Sequence, residues 1–261
     1  MKYIDDPQGQ PVAGRPLGPR ESFNFRCHGG LACFNRCCHN LNLFLYPYDV
    51  LRLKGCLGIS SDQFIERFVD VVLRPGHHFP EVLLRMTDAD QAPCPFLTDR
   101  GCRVYADRPH TCRLFPVEQG ARYEAATGRT EPVYFFRPPD FCLGPGEPRA
   151  LTMETYLDEQ AAEAYYPLTL AWAEVRRLFQ NDPWGAEGPQ GPKAKMAFMA
   201  AYNLDRFREF LFGSTFLKRY RVAPALVQKI RRDEAALLAF AFDWIRLFVF
   251  GMATARIRPK K

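Results

Sequence analysis

The sequence predicts an α+β protein: an irregular, cysteine-rich N-terminal domain with short helices and small β-hairpins, followed by an α-helical C-terminal domain. Three observations predict this. All nine cysteines lie within the first 142 of 261 residues. Most of the 22 prolines and 18 glycines lie outside the C-terminal third, which makes the first part rich in loops. The last 110 residues carry apolar residues at helical spacing between helix caps. Residues 1–21 read as an extended arm, 22–149 as the cysteine domain and 150–261 as the helical domain.

The elements follow from local chemistry. Residues 5–20 (DDPQGQPVAGRPLGPR) lack any apolar periodicity, and order is expected from Ser22 onward. Asp49 can cap a short helix through VLRLKGCLG, which Gly58 ends. Ser60 or Ser61 can cap a second helix, DQFIERFVDVVL, with Phe64, Ile65, Phe68 and Val72 turned inward. VLLRM, CRVY and VYFFR read as strands, and Thr127-Gly128 between two β-prone runs reads as a hairpin turn over Tyr123 to Phe136. Thr152 can cap a helix to about Ala164, with Pro167 breaking it before LTLAWAEVRRLFQ. A loop at 181–192 then precedes helices around 193–212 and 225–250, the last with Pro224 in its first turn.

The formal charge of +6 is concentrated at the end of the chain: residues 218–261 hold eleven basic and three acidic residues. Lys218, Arg219, Arg221, Lys229, Arg231 and Arg232 contribute, as do Arg256, Arg258, Lys260 and Lys261 in the tail. Such a segment suits a solvated helix face and tail; its competing use is an adaptor surface for an acidic protein. Nucleic acid is disfavoured, because packing explains the aromatic residues of FLKRYR at 216–221 as well as base stacking does. No membrane span is expected, since the best stretch, Ala235 to Ala253, holds Asp243 and Arg246 near its centre. The opening residues MKYIDDPQGQ lack an apolar signal core, so a reducing cytoplasm is the expected compartment.

In such a compartment thiols persist as metal ligands, and an odd total of nine suits complete disulfide pairing poorly. Cys27, Cys33, Cys37 and Cys38 form one group, C-x5-C-x3-C-C. Cys94, Cys102 and Cys112 form a second, with Cys142 following. Side chains of adjacent residues diverge, so Cys37 and Cys38 suit two ions, or two corners of a polynuclear cluster, better than one compact ion. Cys56 lies apart in a helical stretch and reads as packing, which leaves eight thiols, enough for two four-ligand sites. Zinc and iron, the latter also as a [4Fe–4S] cluster, both suit four thiolates. Arg26, Arg36, Arg108 and Arg113 lie next to ligand candidates or within a few residues of them, and would offset thiolate charge. His28, His39 and His110 neighbour candidates too, but read as exposed or hydrogen-bonding residues.

FRCHGGLACFNRCC, PYDVLRLKGCLGISSDQF, PCPFL and GCRVYADRPHTCRLFP, with the late Cys142, resemble the YkgJ family of cysteine-cluster proteins over about residues 22–150. The most specific piece is C-x7-C-x-x-Y-x-x-R-P-x-x-C-R, spelled by Cys94, Cys102, Tyr105, Arg108, Pro109, Cys112 and Arg113. The resemblance implies a zinc- or iron-chelating domain with Cys27, Cys33, Cys37, Cys38, Cys94, Cys102, Cys112 and Cys142 as ligands. The first group departs from the compact C-x-x-C-x-x-C-C form, which leaves the grouping of the ligands open. A related branch of flagellin lysine N-methylases raises an iron–sulfur-dependent methyltransferase as an alternative. The sequence contains no glycine-rich methyl-donor fingerprint, catalytic triad, P-loop or paired-carboxylate pattern, so no catalytic residue is assigned.

Overall fold

The computed structural model describes residues 2–3 and 14–260, and residues 4–13 of the expected arm lie outside this range. The architecture is α+β, with ten α-helices and a set of small sheets among the described residues. Two compact units emerge: unit 1 is residues 1–41 with 86–170, and unit 2 is residues 42–85 with 171–261. The eight candidate ligands all fall in unit 1, and Cys56 falls in unit 2.

Unit 1 is built on the hairpin Val117–Glu124 and Arg129–Phe136, whose turn holds Gly128 at φ +66°. Arg15–Leu17, within the expected arm, pairs antiparallel with the second strand, and Lys2–Tyr3 runs parallel to the first. A separate ribbon pairs Ser22–Asn24 with Ala150–Thr152. Leu17, Phe23, Phe25, Val117, Leu151, Met153 and Tyr156 bury one core, against which Cys142 packs. Tyr156 stands edge-on to Phe23 and Phe25, and its hydroxyl donates to the Phe115 carbonyl at 2.6 Å. The helix Met153–Glu159 starts at the expected Thr152, whose hydroxyl accepts the Thr155 N–H. Pro167 does not interrupt a helix: it occupies the first turn of Tyr166–Leu178, where its missing N–H costs nothing.

Unit 2 wraps helices around Glu234–Phe250, whose Leu238, Phe242, Ile245 and Val249 are buried. Gly58 ends the helix Pro47–Leu57 in the left-handed region, as its lack of a side chain allows. Asp49 sits three residues inside that helix, not ahead of it, and accepts the Tyr46 N–H at 2.8 Å. Ser60 caps Ser61–Phe68, but this helix stops short of the expected DVVL. Val69–Val72 is instead a strand beside Glu81–Leu84, since β-branched valines pack well on a pleated surface. The two long C-terminal helices are each divided: Asn203 separates Pro192–Tyr202 from Leu204–Gly213, and Asp233 separates Pro224–Arg232 from Glu234–Phe250. Asn203 and Asp233 each accept an N–H of the helix that follows, so each break is a cap. Among the described residues no helix is long and apolar enough to cross a membrane.

Within unit 2 the buried Lys54 ammonium bridges Glu234 at 2.7 Å and Asp205 at 3.2 Å. Burial alone would raise the Asp205 carboxyl, but the Ser61 N–H and the Lys54 ammonium outweigh it and hold it below its ordinary value. Lys54→Met should therefore destabilise unit 2 by about 1–2 kcal/mol, less than a fully buried pair because both carboxylates reach solvent. A depressed carboxyl stabilises above its unfolded pKa of about 4, and that contribution fades as pH falls through the folded value. Urea titrations of both proteins at pH 7 and pH 3 should thus differ less at the lower pH.

Candidate metal centre

The first thiol group is shaped by a run of tight turns. Leu31 N–H donates to the His28 carbonyl at 3.1 Å, Phe34 to Leu31 at 2.9 Å and Arg36 to Cys33 at 3.0 Å. Asn35, at φ 63°, then admits a single 3₁₀ turn, Arg36–Cys38. Successive side chains of a 3₁₀ helix point about 120° apart, so Cys37 and Cys38 head in different directions. Their side chains still meet in a hydrogen bond.

The second group is laid alongside the first by backbone pairing. Cys94 N–H donates to the Cys38 carbonyl at 2.8 Å, and Asn40 N–H to the Ala92 carbonyl at 2.9 Å. A miniature hairpin then sets Cys102 opposite Leu97 and Gly101, at φ +102°, opposite Thr98. The expected strand CRVY is thus short, and Tyr105–Asp107 is a 3₁₀ turn leading to the helix His110–Leu114 that carries Cys112.

Cys142 reaches the first group through the Ser22–Asn24 ribbon. Arg26 N–H donates to the Gly144 carbonyl at 3.1 Å, and Leu143 N–H to the Cys33 sulfur at 3.3 Å. Only glycine fits at 144: a Cβ there would lie 2.5 and 2.8 Å from the buried Phe25 ring and 3.1 Å from the Arg26 carbonyl. Gly144→Ala should cost about 1–3 kcal/mol by overpacking and push Cys142 away from Cys27. Gly146→Ala, whose Cβ meets nothing within 4 Å, is the control. Comparing thermal stability and metal content of the two variants checks this.

The thiol charges divide the eight. Cys27 is pushed up to about 11 by burial and by the charges of Cys37, Cys33 and Cys142. Burial raises Cys142 as well, with Cys33 and Cys37 as its thiol neighbours. Cys38 is raised by its hydrogen bond to Cys37, by burial and by the charges of Cys37, Cys112 and Cys94. Burial raises Cys94 and Cys102; Cys102 is a neighbour of Cys94, and Cys37 of Cys102. Cys37, by contrast, is lowered to about 7 by its interaction with the Cys38 thiol. These charges link Cys27, Cys33, Cys37 and Cys142 to one another, and link Cys38 to Cys94 and Cys112 and Cys94 to Cys102, with Cys37 a neighbour of Cys38 and Cys102 as well.

The arginines separate in the same way. Arg108 and Arg113 are 8 % and 4 % exposed. Arg108 donates to the Tyr105 carbonyl at 2.6 Å and to Gln160 at 2.7 Å; Arg113 donates to the carbonyls of Gln160 and Ala106 at 2.5 and 2.6 Å. They pin the Cys102–Cys112 loop, and the Arg108 charge also favours the Cys102 thiolate. Arg26 and Arg36 are exposed, and Arg36 lies over the Phe141 ring. Arg103, which the sequence reading passed over, acts on both Cys94 and Cys102. Its adjacency to Cys102 was the signal that could have found it. The histidines take hydrogen-bonding roles: His28 with Glu147, His39 with the Asn35 carbonyl, His110 with Gln119. Cys56 is exposed on its helix, which corrects its reading as a packing residue.

None of the nine cysteines is in a disulfide. Among the described residues no three His, Cys, Asp or Glu side chains already close into a cage around an ion. The donor set nevertheless fits a thiophilic cation: crowded, partly desolvated thiols raise one another's pKa, and a divalent ion reverses that penalty. The Leu143 N–H already donates to the Cys33 sulfur, as amides do around bound thiolates.

Residues 26–142 match the family model described as "CxxCxxCC: Putative zinc- or iron-chelating domain", a stretch that begins beside Cys27 and ends on Cys142. No curated protein and no solved structure matches the chain.

Proposed function

We propose that unit 1 is a metal-binding module that holds two zinc or iron ions, one through Cys27, Cys33, Cys37 and Cys142 and the other through Cys38, Cys94, Cys102 and Cys112. The observation that carries this reading is the gathering of eight thiols, spread over 116 residues of sequence, in one compact unit. Four thiolates fill a tetrahedral ion and leave no position for water, so the module suits holding metal better than Lewis-acid catalysis.

Anaerobic purification followed by elemental analysis, sulfide assay and a visible spectrum tests it. Two zinc or two iron ions per chain without sulfide support it; a brown protein with stoichiometric sulfide replaces the single ions by clusters on the same thiols. Less than one metal per chain, with the thiols mapped as disulfides, overturns it. Metal uptake should also release protons. The raised thiols of Cys27, Cys94, Cys102 and Cys142 are protonated at neutral pH, and each must lose its proton to bind. Affinity should therefore fall as pH is lowered from 8 to 6, as metal competition titrations would record.

A further inference from the structure

We infer that the open edge of the three-stranded sheet in unit 2 is a self-association surface, along which two copies of this chain pair antiparallel through residues 70–74 to form a two-fold dimer.

The edge is open and apolar. The strands lie in the order Phe44–Leu45, Glu81–Leu84, Val69–Val72, and among the described residues no strand flanks Val69–Val72 on its outer side. Arg85 N–H donates to the Phe68 carbonyl at 2.8 Å, so by the alternation of an antiparallel ladder Phe68, Asp70 and Val72 turn their backbone groups inward. Val71 and Leu73 turn theirs outward by the same alternation. Val71 is 50 % exposed and Leu73 39 %, whereas Val82, opposite Val71 in the sheet, is buried. Apolar side chains beside outward-facing backbone groups make an edge strand a template for another strand.

The segment is its own complement. In a two-fold pairing centred on Val72, Val71 of each copy lies opposite Leu73 of the other, and Asp70 lies opposite Arg74. Residues 71 and 73 carry the outward backbone groups, so this register forms hydrogen-bonded pairs and covers all four exposed apolar side chains on one face. Opposite charges meet on the other face. A slip of two residues either way sets Asp70 or Arg74 against Val72 instead. Both charges remain available: Asp70 is held by Arg85 at 2.8 Å and Arg74 by Glu81 at 2.9 Å, yet their side chains are 49 % and 45 % exposed. This match of charge and apolar residues with itself selects a second copy over an unrelated strand.

Sedimentation of the whole protein over roughly 1–100 μM, which brackets the affinity expected of a small interface, tests the inference. The mass should rise toward twice the 30.0 kDa of one chain. Val71→Lys should raise the dissociation constant at least about tenfold, because each dimer loses two apolar contacts and gains two edge charges. Met252→Lys, at a similarly exposed apolar residue of the same unit, should leave it unchanged. Val72→Cys should give a dimer bridged through position 72 of both copies, since a non-hydrogen-bonded antiparallel pair holds its Cα atoms about 4.5 Å apart, within disulfide reach. Peptide mapping distinguishes that bridge from any formed by the native thiols. A chain that stays monomeric throughout, as an edge kept for another protein's strand would leave it, overturns the inference. So does a dimer that withstands Val71→Lys, or a new bridge that does not join the two positions 72.

Discussion

Replacing Cys112 by serine should remove one of the two proposed metal equivalents, whereas Cys56→Ser should remove none. Serine keeps the size of the side chain but offers a hydroxyl that stays protonated at neutral pH, where a bound cysteine is a thiolate. A structural tetrathiolate site is worth roughly 10–16 kcal/mol in apparent binding, so a ligand set reduced to three loses occupancy under competition. In the proposed grouping Cys112 shares a site with Cys38, on which its charge acts, so the site of Cys27 should keep its ion. Cys56 belongs to unit 2, whereas the eight ligand candidates belong to unit 1. Metal per chain should read about one for Cys112→Ser and about two for Cys56→Ser and the parent. Equal losses in the two variants would end the division of eight ligands and one bystander.

Local features of this fold were legible because they are set by neighbours in sequence. Gly58, Ser60, Thr152 and Pro224 punctuate helices where their backbone chemistry predicts. The hairpin around Gly128 follows from two β-prone runs and a turn residue. The failures share a cause, which is competition from distant partners. VDVV continues the apolar pattern of the helix before it, yet Val69–Val72 pairs with Glu81–Leu84, a run that reads locally as a strand but does not announce its partner. The runs at 193–212 and 225–250 take up helical spacing again directly after Asn203 and Asp233, so these caps were read as lying inside single helices.

Cysteine content and spacing marked eight thiols as ligand candidates, but not which of them the fold sets side by side. That placement depends on residues 92–94 running beside 38–40 and on Gly144 passing under Phe25, two contacts between segments roughly 50 and 120 residues apart. The arginine reading was right about neighbourhood for Arg108, which faces Cys102, but adjacency could not tell that Arg26 and Arg36 point to solvent. Nor could it show that units would form from interleaved segments, with residues 42–85 joining the C-terminal helices.

Stripping the metal with a strong chelator under reducing conditions should unfold the cysteine-bearing part of unit 1 and spare the helices of unit 2. In unit 1 the segments between Cys27 and Leu41 and between Cys94 and Leu114 contain 3₁₀ turns, one two-residue hairpin and a five-residue helix. Elements this short cannot offset the entropy of fixing their backbone, about 1–2 kcal/mol per residue, with their own hydrogen bonds. Metal binding of roughly 10–16 kcal/mol per site exceeds the whole stability of a typical domain, about 5–15 kcal/mol, so losing it removes the main term that holds these segments. Unit 2 rests on a different term: the seventeen-residue helix Glu234–Phe250 buries Leu237, Leu238, Phe240, Phe242, Trp244 and Ile245, none of which depends on a thiol. Hydrogen exchange followed by mass spectrometry should show protection lost in residues 27–41 and 92–114 on chelation, regained on adding zinc, and unchanged in residues 234–250. Protection that persists in the cysteine segments after complete metal removal would mean that apolar packing, not coordination, folds them.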